Sequence, residues 1–585
     1  MKILACVLGM LSLIVGLPGR VGCAPSVWGL GAMEKVRPQT PLGKGSIVRL
    51  FAARNETVSF QVGLHGGDAG WNGVSARLLA LNGPVSIQGA DILLYREELL
   101  SITKPTLPYS EPGQWPDGLV PDVDETFGEK RRAFPFNIPA GESRAVWVDV
   151  HVPMDAPPGE YRGAVEVEGE GVRSTVFVSL TVVDWVMPST PSLRTSFLLW
   201  APSVCQAFTG ERDCPPEVQF RLLSSFQKMG LEHRVTLTSR FDPEDVPEPA
   251  TFDTWWSPFL SGTTPLRLPG ARMTSVEYAG PSTPEHLMDF SARASASGWA
   301  PLTFYTVGDE PPIFISFDEA RARSSLLRQR APSLHTLLTI SSLHALEVER
   351  LNDLIDIAVV MVNRLEPSQT AAESGPSSRS EAFLRLPGRE LWLYQCCMSH
   401  GCGSGAPENL PGQGWPSYMV DVPATKARAL EWVSFQRGAT GEHYYQVAQM
   451  LSTAWTDQYI FSGNGDGTLF YPGKAASIGG TQDVPLPSMR LKLIRMGIQD
   501  YEWLKRVSDL GDSAFAQEVA RELIPEPWLV PDEGEAFELA RVRLIQRALM
   551  LSGARVPDSV NAYLREHSGP VALHDLSPVG LGPEP

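Results

Sequence analysis

The stretch Ala300-Pro-Leu-Thr-Phe-Tyr-Thr-Val-Gly-Asp-Glu-Pro-Pro312 is an apolar run that stops at two adjacent carboxylates and two prolines. Its β-branched and aromatic residues predict a buried strand, and the prolines cannot continue a ladder because they lack an N–H group. Asp309 and Glu310 are therefore expected where a strand becomes a loop. In a (β/α) barrel this is the position of catalytic residues, although a capping Asp and a solvated Glu would give the same pattern.

Apolar runs alternate with helical patterns on both sides of this stretch, over residues 191–487. The expected strands are 194–200, 233–237, a poorly defined one between 259 and 278, the strand before Asp309, then 334–340, 355–362, 390–395 and 442–447. Helices are expected at 216–229, from 284 to a stop at 298, at 318–330, from 345, and at 425–436. Repeated β-α units of this number favour a TIM-like (β/α)8 barrel over an open doubly wound sheet, with Asp309 and Glu310 after the fourth strand.

Residues 25–190 have a different pattern, in which short runs alternate between apolar and polar residues and are broken by Gly, Pro and Asn. The clearest runs are 46–50, 57–64, 145–152, 164–168 and 176–183. Period-two alternation at this spacing predicts an antiparallel β-sandwich. The boundary with the barrel is expected at Pro188-Ser-Thr-Pro191. The sandwich carries no catalytic pattern, which favours a supporting or carbohydrate-contacting role.

The last part of the chain, residues 488–585, contains amphipathic helical patterns at 489–507, 513–523 and 533–551. Gly and Pro interrupt the pattern too soon for a coiled coil. We therefore expect these C-terminal helices to pack on the barrel. The fold class predicted for the whole chain is multidomain, β followed by α/β, with a helical tail.

Length and charge limit the possible partners. At about 150 residues per domain, 585 residues correspond to two to four domains. The net charge of −17 argues against a nucleic-acid or anionic-membrane partner, since both require basic patches. No Gly-rich phosphate loop follows a predicted strand, so we expect no nucleotide, and the predicted site includes no cofactor. Neutral substrates remain open.

The first 24 residues are typical of a secretory signal peptide. One lysine precedes a short apolar run, and Pro18, Gly19 and small residues follow up to Ala24. No later stretch is long and apolar enough to anchor the chain. We therefore expect an exported protein, secreted or periplasmic. Cys23 is a candidate for lipidation, but Arg20 replaces the aliphatic residue usual three positions before a lipidated cysteine.

Export permits disulfides, and an odd number of cysteines remains once the signal segment is set aside. The short-loop candidates are Cys205 with Cys214, and Cys402 with either Cys396 or Cys397. Cys396, Cys397 and Cys402 could instead bind zinc. Their spacing lacks a paired Cys-x-x-Cys partner, so no metal site is predicted.

Several motifs, taken together, carry a resemblance to a known family. In the sandwich they are Ala52-Ala-Arg-Asn-Glu56 followed by Gln61, Val152-Pro-Met-Asp-Ala-Pro-Pro-Gly-Glu-Tyr161 and Val183-Asp-Trp-Val-Met-Pro188. In the barrel they are His233-Arg234, Gly308-Asp-Glu-Pro311, Tyr394-Gln-Cys-Cys397 and Gly465-Asp-Gly-Thr-Leu-Phe-Tyr-Pro-Gly473, and the helical stretch 487–502 adds a further match. With these motifs the chain resembles glycoside hydrolase family 123 over most of its length.

The resemblance implies a retaining β-N-acetylgalactosaminidase that uses the 2-acetamido group of its substrate as nucleophile. Glu310 would then be the general acid/base, and Asp309 would orient the acetamido nitrogen. Substrate assistance removes the need for an enzymic nucleophile about 5 Å from the acid. Family likeness is an associational argument, so the roles of these two residues are predictions.

A sugar-binding pocket needs flat apolar walls beside polar groups. Four aromatic residues lie at or just after the last predicted barrel strands and are candidate substrate contacts: Tyr394, Tyr444, Tyr445 and Trp455. Ordinary core or interface packing would explain the same residues.

Two other classes of function remain open. A secreted or surface glycan-binding protein would keep the pocket and turn nothing over. A metal-dependent hydrolase is a more distant alternative.

Overall fold

The computed structural model describes residues 23–107, 110–238, 249–365, 376–400 and 414–567. The predicted signal segment therefore lies outside the described residues, apart from Cys23 and Ala24. Among the helices of these ranges, none combines the length and the low charge needed to cross a bilayer.

The N-terminal domain consists of two β-sheets. Its strands are β1 (Ser26–Gly31), β2 (Ile47–Arg54), β3 (Thr57–His65), β4 (Trp71–Arg77), β5 (Ala80–Asn82), β6 (Ser86–Gln88), β7 (Ile92–Ile102), β8 (Gly113–Pro121), β9 (Phe136–Ile138), β10 (Ser143–His151), β11 (Gly159–Gly169) and β12 (Val172–Val186). One sheet has the order β1-β3-β10-β7-β8 and the other β2-β12-β11-β4-β9, with β5 and β6 attached to β11. All pairs are antiparallel except β2 with β12.

Alternation along the strands places opposite faces of one sheet in two different environments. In β10, Val146, Val148 and Val150 lie in a core shared by both sheets. The intervening Trp147 belongs to the large core that also contains barrel and C-terminal residues. Asp149, the next residue on that face, is fully buried as well. The N-terminal domain is therefore packed on the rest of the chain through a second buried face.

A parallel eight-stranded sheet follows. Its strands are β13 (Arg194–Leu198), β14 (Leu237–Thr238), β15 (Val276–Tyr278), β16 (Thr303–Gly308), β17 (His335–Ile340), β18 (Ile357–Met361), β19 (Glu390–Tyr394) and β20 (Gly441–Tyr444). The strand order is β14-β13-β20-β19-β18-β17-β16-β15, with every pair parallel. Each of the eight expected strands has a counterpart, although the second is shifted to Leu237–Thr238, and the sheet forms a nearly closed barrel.

The barrel has a seam between β14 and β15, which do not pair with each other. Threonine side chains connect the segments that lie just before β14 and β15. The Thr274 N–H donates to Thr236 Oγ1 at 2.8 Å, and the Thr236 N–H donates to Thr195 Oγ1 at 2.7 Å. Side chains thus replace the backbone ladder at the amino end of the seam.

Thirteen α-helices are described. They are α1 (Ala201–Thr209), α2 (Pro216–Glu232), α3 (Pro249–Ser261), α4 (Pro284–Ala296), α5 (Phe317–Arg330), α6 (Leu343–Val348), α7 (Pro376–Leu384), α8 (Leu430–Arg437), α9 (Ala475–Ile478), α10 (Met489–Asp509), α11 (Ser513–Leu523), α12 (Gly534–Leu551) and α13 (Asp558–His567). Two short hairpin pairs, β21 (Tyr459–Ile460) with β22 (Gly463–Asn464) and β23 (Phe470–Gly473) with β24 (Val484–Pro487), complete the described strands.

Three sequence expectations need correction. Residues 233–236 form no strand, because the His233 N–H still bonds to the end of α2 and Arg234 has φ +61°. The helix expected at 425–436 is split into a 3-10 turn at Ala424–Arg428 and α8. α13, which follows the expected C-terminal helices, was not predicted; Val560 is its one buried residue.

Helix α10 joins the domains through buried charges. Arg490 donates to both carboxylate oxygens of Asp117, at 2.8 and 2.7 Å. Arg495 donates to both carboxylate oxygens of Asp149, at 2.8 and 3.1 Å, and Lys492 donates to Oδ2 at 2.7 Å. Burial alone would raise the pKa of Asp149, but the charges of Arg495 and Lys492 hold it well below its ordinary value.

One of the two predicted disulfides is confirmed, and the pairing of Cys402 stays a prediction. Cys205 and Cys214 form a disulfide, with their Cα atoms 5.7 Å apart. Cys397 is also disulfide-bonded and Cys396 is buried, while Cys402 lies outside the described ranges. Cys23 is exposed.

Glu97, in β7, is a buried acidic residue. Its side chain is 3% exposed, and neither carboxyl oxygen has a hydrogen-bond partner in the described ranges. Burial raises the pKa of Glu97 to about 8 from an ordinary value of 4.5. The folded state therefore holds this proton more tightly than the unfolded chain. The stability that this proton contributes is fully present below the unfolded pKa and is lost as the pH rises to about 8.

We predict that Glu97→Gln becomes progressively more stable than the wild type as the pH rises from about 5 to about 8. The expected gain is up to about 1.4 kcal/mol per pH unit, from the proton linkage of one group. Urea unfolding at several pH values measures it. Glu98→Gln is the matched control, because the carboxylate of Glu98 is partly exposed and paired with Arg96. Parallel stability profiles for Glu97→Gln and wild type would contradict the prediction.

Candidate active site at the carboxyl end of the barrel

Asp309 and Glu310 follow directly on β16, at the carboxyl end of the fourth barrel strand. Asp309 is exposed and Glu310 is half-buried. The hydroxyl of Thr339, on the neighbouring strand β17, donates to Asp309 Oδ1 at 2.7 Å. One threonine therefore holds the first carboxylate in place from the adjacent strand.

The backbone of Glu310 is in an uncommon conformation. Its φ of +39° lies in the left-handed region, which costs free energy for a residue with a side chain. The Glu310 N–H donates to both the carbonyl and the hydroxyl oxygen of Thr339, at 3.1 and 3.0 Å. These contacts hold the strained residue, as is typical of functional sites.

Tyr394 ends β19 and reaches Glu310 from across two intervening strands. Its hydroxyl donates to Glu310 Oε1. Burial and the Glu310 carboxylate raise the pKa of Tyr394 well above its ordinary value, so its hydroxyl remains a donor. The structure thus places Asp309, Glu310 and Tyr394 together at the carboxyl ends of barrel strands, and their roles in binding or catalysis stay predictions.

Tyr445 lies on the same side of the barrel as Tyr394. A cluster of buried side chains from β16 to β19 fills the barrel interior, and it includes Tyr394 and Cys396. Tyr445 packs against this cluster while remaining half-buried, and its ring centroid is 6.2 Å from that of the exposed Phe461. Tyr445 therefore keeps accessible ring surface at the barrel mouth.

Tyr444 faces the other way. It is fully buried against Phe197, with ring centroids 5.7 Å apart. Its hydroxyl accepts from the Gly467 N–H at 2.7 Å and donates to Asp466 Oδ1 at 3.3 Å. The ring has no exposed surface for a ligand as it stands, so substrate contact through Tyr444 stays a prediction.

Trp455 packs in a separate cluster between the N-terminal domain and the β23–β24 hairpin. Its ring centroid lies 4.5 Å from that of Tyr471, and its indole N–H donates to Pro472 O at 3.0 Å. No described contact joins Trp455 to Glu310, and its role as a substrate contact also stays a prediction.

Sequence reasoning missed three polar residues near this end of the barrel. Thr339 lies near the end of a predicted strand, but no motif around it indicated a functional role. Asp466 lies in a motif that carried the family resemblance; burial raises its pKa to about 6, against hydrogen bonds from the Cys397 N–H and Tyr444. Asn363 follows β18 directly, and neither end of its buried amide has a partner in the described ranges.

A cavity of about 610 Å³ lies elsewhere, between strands β1 to β3 and the C-terminal helices. Its charged side chains are mostly engaged with one another: Arg428 bonds to Glu538 at 2.5 Å and Arg541 to Glu56 at 2.6 Å. The charges that line this cavity thus mainly stabilise the packing of the C-terminal helices on the N-terminal domain and the barrel. Within the ranges described, no group of three or more His, Cys, Asp or Glu residues is arranged to hold a metal ion.

The N-terminal domain and the overall fold have counterparts among known proteins. Residues 44–169 match the family model described as the glycoside hydrolase 123 N-terminal domain. The solved structure of a family 123 glycoside hydrolase from Clostridium perfringens, reported for the details of glycolipid glycan hydrolysis, is similar with a TM-score of 0.66 at 14% identity. The match covers 93% of this chain and 99% of that one.

Other solved structures are less similar. A β-glucuronidase from Parabacteroides merdae has a TM-score of 0.24 at 9% identity, over 70% of this chain and 48% of that one. A xylanase with a bacterial Ig-like domain, from termite gut, has a TM-score of 0.26 at 10% identity, over 61% and 90%. These scores are too low to indicate a shared overall fold. No curated protein matches the chain in sequence.

We predict that Thr339→Val destabilises the protein by about 0.5–1.5 kcal/mol, because the hydrogen bonds of the hydroxyl with the Asp309 carboxylate and the Glu310 N–H are lost. Thr339→Ser is the matched control and should lose much less, since it keeps the hydroxyl. Chemical denaturation measures both. A Thr339→Val variant as stable as the wild type would mean that the hydroxyl does not hold the site.

Proposed function

The chain resembles glycoside hydrolase family 123 in the sequence of its N-terminal domain and in its whole fold, and on this premise we propose that it is a retaining glycoside hydrolase. The proposed substrate is a β-linked N-acetylhexosamine, most specifically N-acetylgalactosamine. The observation that carries the proposal is the pair Asp309 and Glu310, fixed at the carboxyl end of the fourth barrel strand.

The proposed first step is substrate-assisted. The acetamido oxygen of the sugar attacks the anomeric carbon, the bond from this carbon to the leaving oxygen breaks, and protonated Glu310 gives its proton to that oxygen. The products are the free aglycone and an oxazolinium ion. In the second step Glu310 takes a proton from water, which attacks the anomeric carbon and reopens the ring with overall retention.

Contacts in the structure support the role proposed for Glu310. Its Oε1 accepts from Tyr394, which leaves the other carboxyl oxygen for the leaving group. Its backbone is fixed through Thr339, so little reorientation is needed during the reaction.

Asp309 is suited to act on the acetamido group. Its Oδ1 accepts from Thr339, and Asp309 is exposed at the carboxyl end of β16. An ionised Asp309 can accept a hydrogen bond from the acetamido N–H, which aims the acetamido oxygen at the anomeric carbon. It also stabilises the positive charge that develops on the oxazolinium ion.

Export is part of the proposal. It is supported by the signal-like first 24 residues. A glycan outside the cytoplasm would then be the substrate.

Activity toward aryl glycosides tests the proposed function. Purified protein should hydrolyse aryl β-N-acetylgalactosaminide or β-N-acetylglucosaminide, and a thiazoline analogue of the oxazolinium ion should inhibit it. Hydrolysis of a plain β-galactoside but of neither acetamido sugar would reject substrate assistance. Glu310→Gln should lose about 10²- to 10⁴-fold in rate while it still binds the glycoside. A protein that binds the glycan and never turns it over would be a binding protein instead.

We predict that the two carboxylate variants respond differently to the leaving group. An aryl substrate with a very good leaving group needs little protonation, so Glu310→Ala should recover much of its first-step rate on it. Asp309→Asn should lose most activity on every substrate, because the charge that stabilises the oxazolinium ion is gone. Rates on two aryl glycosides of different leaving-group acidity measure this. Equal losses on both substrates for Glu310→Ala would reject the assignment.

A further inference from the structure

A segment of the N-terminal domain reaches the carboxyl end of the barrel. It follows β7 and comprises residues 103–107, which we call the arm. Leu107 of the arm packs in a small apolar cluster with Cys397, Met419 and Val422. Cys397 lies three positions after Tyr394, the tyrosine that contacts Glu310. The arm therefore contacts the chain that leaves the barrel beside the candidate acid.

Buried hydrogen bonds join the arm to the β21–β22 hairpin. The N–H and the hydroxyl of Thr106 donate to the two carboxylate oxygens of Asp421, at 2.7 and 2.5 Å. Thr106 Oγ1 accepts from the Asn464 N–H at 2.9 Å, and the Asn464 side-chain amide donates to Lys104 O at 2.8 Å. Thr106, Asp421 and Asn464 are 6%, 1% and 4% exposed. Because buried polar groups are costly to leave unpaired, these bonds fix the end of the hairpin to the N-terminal domain.

The turn of this hairpin is strained. Its two central residues, Phe461 and Ser462, have φ of +50° and +71°, a conformation that Asn and Gly usually supply in two-residue hairpin turns. Such a backbone persists only where the surrounding structure holds it. The base of the hairpin also lies directly on Cys397, since a Cβ added to Gly463 would be 2.5 Å from Cys397 Sγ. Both the arm and the residues after β19 thus hold the turn in place.

The strained turn presents an aromatic ring at the barrel mouth. Phe461 is 60% exposed, and its ring centroid is 6.2 Å from that of the half-buried Tyr445. Tyr445 packs against the interior cluster that contains Tyr394. The packing of an exposed ring offsets the strain of its turn only in part, and a ligand that covers the ring would offset more of it. Ligand pockets are lined mainly by apolar and aromatic faces of this kind.

We propose that the arm of the N-terminal domain positions the β21–β22 hairpin so that Phe461 packs on the glycoside bound at the barrel mouth. Thr106 is then a positioning residue that acts through Asn464 and Phe461. The N-terminal domain thereby forms part of the substrate site in addition to supporting the barrel. This inference rests on the proposed function, because it takes the barrel mouth as the glycoside site.

Hydrogen exchange tests the positioning without reference to catalysis. Thr106→Val keeps the shape of the side chain and removes the hydroxyl, so the amides of residues 459–464 should exchange about tenfold faster than in the wild type. Thr106→Ser keeps the hydroxyl and should restore most of the protection. The matched control is Thr57→Val, which removes a buried hydroxyl that contacts His151 within the N-terminal domain, at 3.3 Å. It should leave exchange in the hairpin unchanged.

Kinetics test the consequence for the glycoside. On whichever aryl acetamido glycoside the wild type hydrolyses, Thr106→Val should raise KM about five- to tenfold, as expected for the loss of one aromatic contact. The kcat should stay within about twofold, because Thr339 still holds Asp309 and Glu310. A purely structural role of Thr106 would instead lower kcat through an inactive fraction and leave KM unchanged.

A double-mutant cycle decides whether the arm acts through Phe461. Phe461→Ser alone should raise KM by a similar factor, and adding Thr106→Val should then change it little, since both substitutions remove the same contact. Unchanged exchange of the hairpin in Thr106→Val, a KM that does not rise, or fully additive effects on KM would each overturn the inference.

Failure of the proposed function is seen separately, as the absence of aryl glycoside hydrolysis by the wild type. That result would overturn the glycoside role of Phe461, while hydrogen exchange still measures the positioning by the arm. Hydrolysis with an unchanged KM in Thr106→Val would keep the function and reject the arm as part of the substrate site.

Discussion

The buried ion pairs of helix α10 are the constraint on which the arrangement of the domains depends. Each cation that α10 directs into the N-terminal domain meets a carboxylate there, and Asp149 receives two of them. Desolvated charges of this kind add little net stability as complete pairs, but losing one partner costs about 3–5 kcal/mol. They therefore act mainly through specificity, because a shifted docking of the domains would leave several charges unpaired at once.

Much of the barrel could be predicted because its strands are short apolar runs separated by helical patterns. The exceptions have local causes. In residues 233–236 the backbone N–H of His233 bonds to the end of α2, and the Arg234 side chain donates from Nη2 to Asn55 O at 2.6 Å, so this stretch is not available for a strand. Helix α13 depends on contacts with α12 and the N-terminal domain, such as the Phe51–Tyr563 ring pair, that no local pattern contains.

Some features of the candidate site could likewise be predicted from the sequence, and others could not. The end of an apolar run sufficed to place Asp309, Glu310 and Tyr394 at strand ends. The orientation of Tyr444 and Tyr445 could not be predicted, since a shift of one residue in a strand exchanges the two faces of the sheet. The hydrogen bonds of Thr339 with the Asp309 carboxylate and the Glu310 backbone N–H join residues about thirty positions apart, and no local sequence pattern indicates them.

The seam between β14 and β15 has a consequence for the motions of the barrel. Amides in an unpaired edge strand exchange with solvent through small local openings, whereas those in central strands require larger ones. Strands β17, β18 and β19, which carry Thr339 and Tyr394, each have a ladder on both sides. Amides of β14 and β15 are therefore expected to exchange with solvent before those of β17, β18 and β19, so that the strands holding Thr339 and Tyr394 stay paired when the seam opens.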